Sequence, residues 1–106
     1  MEVKPITVYV HDEIHPAILR NVPEAELNAF YDEALWKALH SPFIEVIAIP
    51  FFDYSRSVPV RFTPSLPTYR KWCRVPKEFV DGVMNAFYPE VLDLLIEYEC
   101  GLRGGK

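Results

Sequence analysis

Along this 106-residue chain the spacing of hydrophobic and polar positions changes repeatedly, and each change predicts an element. From Lys4 to His11 the two alternate, with Ile6, Val8 and Val10 on one side and Thr7, Tyr9 and His11 on the other. That is the two-residue period of a half-buried strand. From Pro23 to His40 the step becomes three and four, placing Leu27, Phe30, Tyr31, Ala34, Leu35, Ala38 and Leu39 on one stripe. A helix is predicted there, because Pro23 suits its first position and Glu24 and Glu26 suit the positive end of its dipole. Trp36 lies off the stripe and either widens the buried face or marks a contact with a partner.

Phe43 to Phe52 is almost continuously apolar and rich in β-branched residues, as in a strand covered on both faces. It is expected to be a central strand, or one capped by an oligomer contact, ending near Pro50 because proline cannot donate within a ladder. Glu45 is the one charge inside the run; a place at the strand mouth, facing solvent or an arginine, suits it better than that of a buried general base. Val58, Val60 and Phe62 alternate with Pro59, Arg61 and Thr63, giving a further strand whose proline favours an edge. Pro64 to Pro67 reads as a loop. Thr68 to Val75 reads as a fourth strand, with Tyr69, Lys71, Cys73 and Val75 on one side and Arg70, Trp72 and Arg74 on the other.

Pro76 opens the last helical region, where Val80, Val83, Met84, Phe87, Val91, Leu94, Leu95 and Tyr98 form one stripe that crosses Pro89. A proline in a helix interior costs about 3 kcal/mol, so two helices, or one with a sharp kink, are expected. Val22-Pro23-Glu24, Val75-Pro76-Lys77-Glu78 and Tyr88-Pro89-Glu90 look like three uses of one helix start. Gly101 is expected to close the final helix, leaving 101–106 as a short tail. The order β-α-β-β-(β)-α predicts a single small α+β domain over 1–106, with helices packed on one face of a small sheet and a split β-α-β arrangement as one candidate topology. A chain of this length supports one hydrophobic core.

Composition adds exclusions. Hydrophobic residues are 50% and charged residues 25%, which sets the chain apart from disordered sequences. No run approaches the roughly 18 apolar residues of a membrane span, and Met1 to Val10 has no apolar core of signal-peptide length. Cys73 and Cys100 stand outside CxxC spacing, so neither a zinc ribbon nor a thioredoxin-type pair is available. A cytoplasmic protein with reduced thiols and no membrane partner is expected. The absence of glutamine and the ten prolines fit a thermophilic source.

Charge changes the picture more. Between Tyr54 and Lys77 the chain carries Arg56, Arg61, Arg70, Lys71, Arg74 and Lys77 and no acid. That stretch is +6; the other five cations against fifteen acids leave −10, and the whole is −4. Such a molecule presents a basic face to an anion and an acidic face elsewhere. If the sheet has an open face, it is expected to carry Tyr9, His11, Arg61, Arg70, Trp72 and Arg74. Arg61, Arg70, Trp72, Arg74 and Tyr9 are therefore the candidate binding residues, of the types enriched at interface hot spots.

A binding role comes first on these grounds: an adaptor, an inhibitor or a subunit of a larger assembly, with a protein partner or self-association. Nucleic-acid binding through 54–77 is the alternative, since cations contact phosphate and rings stack on bases. It lacks an RRM-type pattern and a glycine-rich phosphate loop. A plainer expectation is that these cations pair with acids of the same domain, Glu24, Glu26, Glu78, Asp81 and Glu90 being the nearest in the chain.

Enzyme activity ranks third, with no nucleophile elbow or Walker loop and no catalytic residue or cofactor assigned. Its one candidate metal cluster is His11, Glu13 and His15, in the order H-x-E-x-H, which is neither HExxH nor HxxEH. Pro16 disfavours helical geometry at His15, so a solvated strand-to-helix loop is expected over 11–16.

Overall fold

The computed structural model describes residues 2–41 and 52–103. The two alternating segments pair with each other: β1 (Ile6–His11) and β2 (Ser57–Phe62) run antiparallel, Ile6 opposite Phe62 and His11 opposite Ser57. Directly opposed residues share a face. Ile6, Val8 and Val10 with Phe62, Val60 and Val58 therefore turn inward, and Val8, Val10 and Phe62 are buried. Thr7 with Arg61 and Tyr9 with Pro59 lie on the opposite face. The central strand expected from Phe43 lies outside the described residues except for its last position, Phe52, which is buried.

The turn after β1 is tied by Asp12 N–H to the Arg56 carbonyl at 3.0 Å and by Ile14 N–H to the His11 carbonyl at 3.2 Å. Where a loop was expected through Pro16, a short helix, α1 (His15–Asn21), begins at once. Pro16 falls in its first turn, where no N–H is needed. Ile14, Ile18 and Val22 recur at four-residue steps, and Ile18 and Val22 are buried; that burial outweighs the reluctance of His15 to turn before a proline.

α2 (Leu27–Leu39) follows a 3-10 turn at Glu24–Glu26 that starts from Pro23. Its stripe is as expected, with Phe30, Tyr31, Ala34, Leu35, Ala38 and Leu39 buried. Pro76 repeats the device: a 3-10 turn at Lys77–Phe79 leads into α4 (Val80–Glu99). The third proline does not. α4 is one helix that contains Pro89, with Val83, Met84, Phe87, Val91, Leu94 and Leu95 buried along it. Burying a large apolar side chain is worth about 1.5–3 kcal/mol. Phe87 and Val91, which flank the proline and are both buried, together offset its cost.

α2 and α4 pack antiparallel. The Tyr98 hydroxyl donates to Glu26 at 2.9 Å and the Tyr98 ring meets Phe30 at 5.8 Å, joining the end of one helix to the start of the other. Beyond α4, Gly101 takes φ of 75°. Its N–H reaches the Tyr98 carbonyl at 3.1 Å and the Leu102 N–H the Glu97 carbonyl at 2.9 Å, the paired bonds of a Schellman cap. Arg103 then turns back to grip Glu33 at 2.8 and 3.0 Å and also bonds Glu97. Burial pushes the Glu33 carboxyl up, but the bonds from Arg103 and Lys37 outweigh it and hold the group below the usual range.

The fourth strand expected from Thr68 to Val75 is a helix, α3 (Leu66–Cys73). Two side chains one turn apart on α2 set its start. Asn28 accepts the Thr63 N–H at 3.2 Å, and Asp32 accepts the Ser65 N–H at 2.8 Å and its hydroxyl at 3.1 Å. Pro67 then sits in the first turn, where proline is tolerated. Thr68 is buried, and Trp72 and Val75 are partly buried against the core, at steps of four and three. Over eight residues that spacing is easily mistaken for alternation. The result is a small α+β domain in which, among the described residues, the helices and a two-stranded sheet share one core; none of these helices is long and apolar enough to cross a membrane.

Candidate functional site

The helical phase of α3 redistributes the acid-free stretch. With Thr68, Trp72 and Val75 turned toward the core, Arg70, Lys71 and Arg74 are exposed, as is Lys77 in the turn that follows. As strand residues Lys71 and Arg70 would point to opposite sides; in helical phase both stand beside Arg74, three and four residues on. Arg70 and Arg74 stand one turn apart, where like charges repel by about 0.2–0.5 kcal/mol. Arg61 is exposed on β2, opposite Thr7 at the end of the sheet that leads into the loop before α3.

Arg56 belongs to the other end. It bonds Glu13 at 3.1 Å across the β1 turn, with both side chains largely exposed. Among the described residues it is the one cation of the 54–77 stretch that makes an ion pair. The acids nearest in the chain are engaged elsewhere or stand apart: Glu26 with Tyr98, and Asp81 with the Tyr54 hydroxyl. Neutralisation within the domain thus accounts for Arg56 and, among the described residues, for none of the other five. Burial pushes the phenol of Tyr69 up, and a hydrogen bond to Cys73 adds to it.

The candidates named from sequence fall into separate places. Arg61, Arg70 and Arg74 are exposed; Trp72 is partly buried beneath α3. Tyr9 belongs to an aromatic cluster on the outer face of the sheet, 4.8 Å from Tyr54 edge to face and 6.4 Å from Phe52. His11 continues that cluster, 4.2 Å from Tyr88 and 6.1 Å from Phe52. Asp81, in the first turn of α4, accepts from the Tyr54 hydroxyl and, at 3.5 Å, from the Phe52 N–H. These contacts fasten the segment that enters β2 onto α4, and the rings fill the space between them.

His11, Glu13 and His15 do not converge. His11 stacks on Tyr88, Glu13 faces Arg56, and His15 opens α1. Among the described residues no group of three His, Cys, Asp or Glu side chains is placed to hold a metal. Cys73 and Cys100 are free and exposed.

Lys71 is the surface residue that alternation hid. The signal that would have found it is the step of four and three from Thr68 through Trp72 to Val75, read as helix. No family model, curated protein or solved structure matches the chain.

Proposed function

We propose that this chain is a small non-enzymatic binding component of the cytoplasm, an adaptor, inhibitor or subunit of a larger complex, that engages a protein partner or a second copy of itself. The surface it uses is the exposed side of α3 with Arg61 at the adjoining end of β2. One observation carries this reading: Arg61, Arg70, Lys71, Arg74 and Lys77 are exposed and make no ion pair among the described residues. The same molecule neutralises Arg103 with two carboxylates. Among the described residues, acids that could pair with this group are placed elsewhere.

A role in nucleic-acid binding draws on the same cations. Against it stands the −10 carried by the rest of the chain, which repels a long polyanion wherever it extends past the patch. Trp72, placed from sequence among the contact residues, supports α3 from beneath, so charge is what this surface offers.

The test is the native mass of the protein purified from its source, with the proteins that remain bound to it. The proposal expects a mass above the 12.3 kDa of one chain and a partner in fixed ratio, both reduced in an Arg61→Glu/Arg74→Glu variant. A monodisperse monomer that retains nothing would overturn it.

A further inference from the structure

We infer that the partner's contribution at α3 is a short acidic run of extended polypeptide, a stretch of Asp and Glu about four residues long. This rests on the reading of the chain as a protein-binding component and names the chemistry of what it binds. The carrying observation is the juxtaposition of Arg70 and Lys71 in the last turn of α3 with Arg74 at its C-cap, followed by Lys77, all exposed and with no ion pair among the described residues.

Length sets the size of the ligand. From Arg70 to Arg74 the backbone rises about 6 Å at 1.5 Å per residue, and the three residues on to Lys77 add at most about 10 Å. An extended peptide advances about 3.3 Å per residue, so about four residues lie along that span. Polarity follows from the helix: Arg70 and Lys71 already occupy its last turn, where cations complement the dipole. An acid meeting their outward side weakens the mutual repulsion of Arg70 and Arg74 without competing for the helix end.

The rest of the molecule sets the selectivity. A run of four or five acids in an otherwise uncharged segment touches only the basic surface. A nucleic acid carries its charge onward into the acidic remainder, and its affinity falls accordingly. Guanidinium groups also favour carboxylates geometrically, since their paired N–H donors match the two carboxylate oxygens.

The experiment is fluorescence anisotropy with a labelled Gly/Ser peptide carrying about five consecutive glutamates, the same peptide without them, and a labelled single-stranded oligonucleotide of equal charge. The acidic peptide is expected to bind at about 20 mM salt and to weaken severalfold by about 150 mM, where the screening length falls to about 8 Å. Arg70→Glu/Arg74→Glu should weaken it at least tenfold and Arg70→Gln/Arg74→Gln by less, with circular dichroism unchanged. Lys71→Glu/Lys77→Glu serves as a second variant if the first does not fold. The inference is overturned by no binding of the acidic peptide at low salt, by equal binding of the variants, or by an oligonucleotide that binds more tightly than the peptide. If the peptide fails while the native protein still holds a partner in fixed ratio, this inference falls and the proposed function stands; if both fail, both fall.

Discussion

Tyr54 is where local chemistry reaches furthest. Burial, and then the hydrogen bond to Asp81, push its phenol from 10.0 up to about 12. Burial alone does the same to Tyr31. A phenol that ionises near 10 when unfolded and near 12 when folded contributes stability that is fully present below pH 10 and lost as pH rises through 12. Stability is therefore expected to fall between pH 10 and 12. Tyr54→Phe should flatten that fall while leaving the share of Tyr31. Urea midpoints measured across this range would check it, and identical slopes for the variant and the parent would refute it. The alternation around Tyr9 made its strand legible from sequence. That Tyr9 would meet Tyr54 and Phe52 was not legible, since the contact joins residues about forty-five positions apart and no local period encodes it.

Among the elements, α2, β1 and β2 follow directly from hydrophobic period. α3 and α4 show where tertiary packing decides between readings that period leaves open. In α4 the stripe was right and, of the two outcomes expected at Pro89, the helix is continuous rather than divided: Phe87 and Val91 are held in the core on both sides of the proline, so packing supplies what the missing hydrogen bond withdraws. Pro89→Ala is accordingly expected to stabilise the protein by about 1–3 kcal/mol, seen as a higher urea midpoint. An unchanged or lower midpoint would mean that the proline costs this helix nothing. In α3 the segment is short enough to satisfy either period. The choice was made by Asp32 and Asn28 on α2, which hold the backbone and hydroxyl groups of 63–65 at the helix start.

At the scale of the molecule, α2, α3, α4 and the sheet share one core, with Trp72 packed against it from α3 and Trp36 on the outer side of α2. Such a core unfolds as a unit. Tryptophan fluorescence and far-ultraviolet circular dichroism should report the same urea midpoint, whereas an earlier fluorescence transition would show that α3 detaches on its own. Charge segregation is the other property of the whole, and it was already complete in the sequence: six cations and no acid from Tyr54 to Lys77. By itself the sequence determined that polarity, the amphipathic faces of α2, α4 and both described strands, and the α+β class, because each is written in residue order at a spacing of two, three or four. Only the tertiary structure decided that α3 is a helix, that His11, Glu13 and His15 stay apart, and that among the described residues Arg70, Lys71 and Arg74 make no ion pair while Arg103 does. Those outcomes depend on which distant carboxylates and backbone groups come within bonding distance once the core closes, and a local pattern holds no information about that distance.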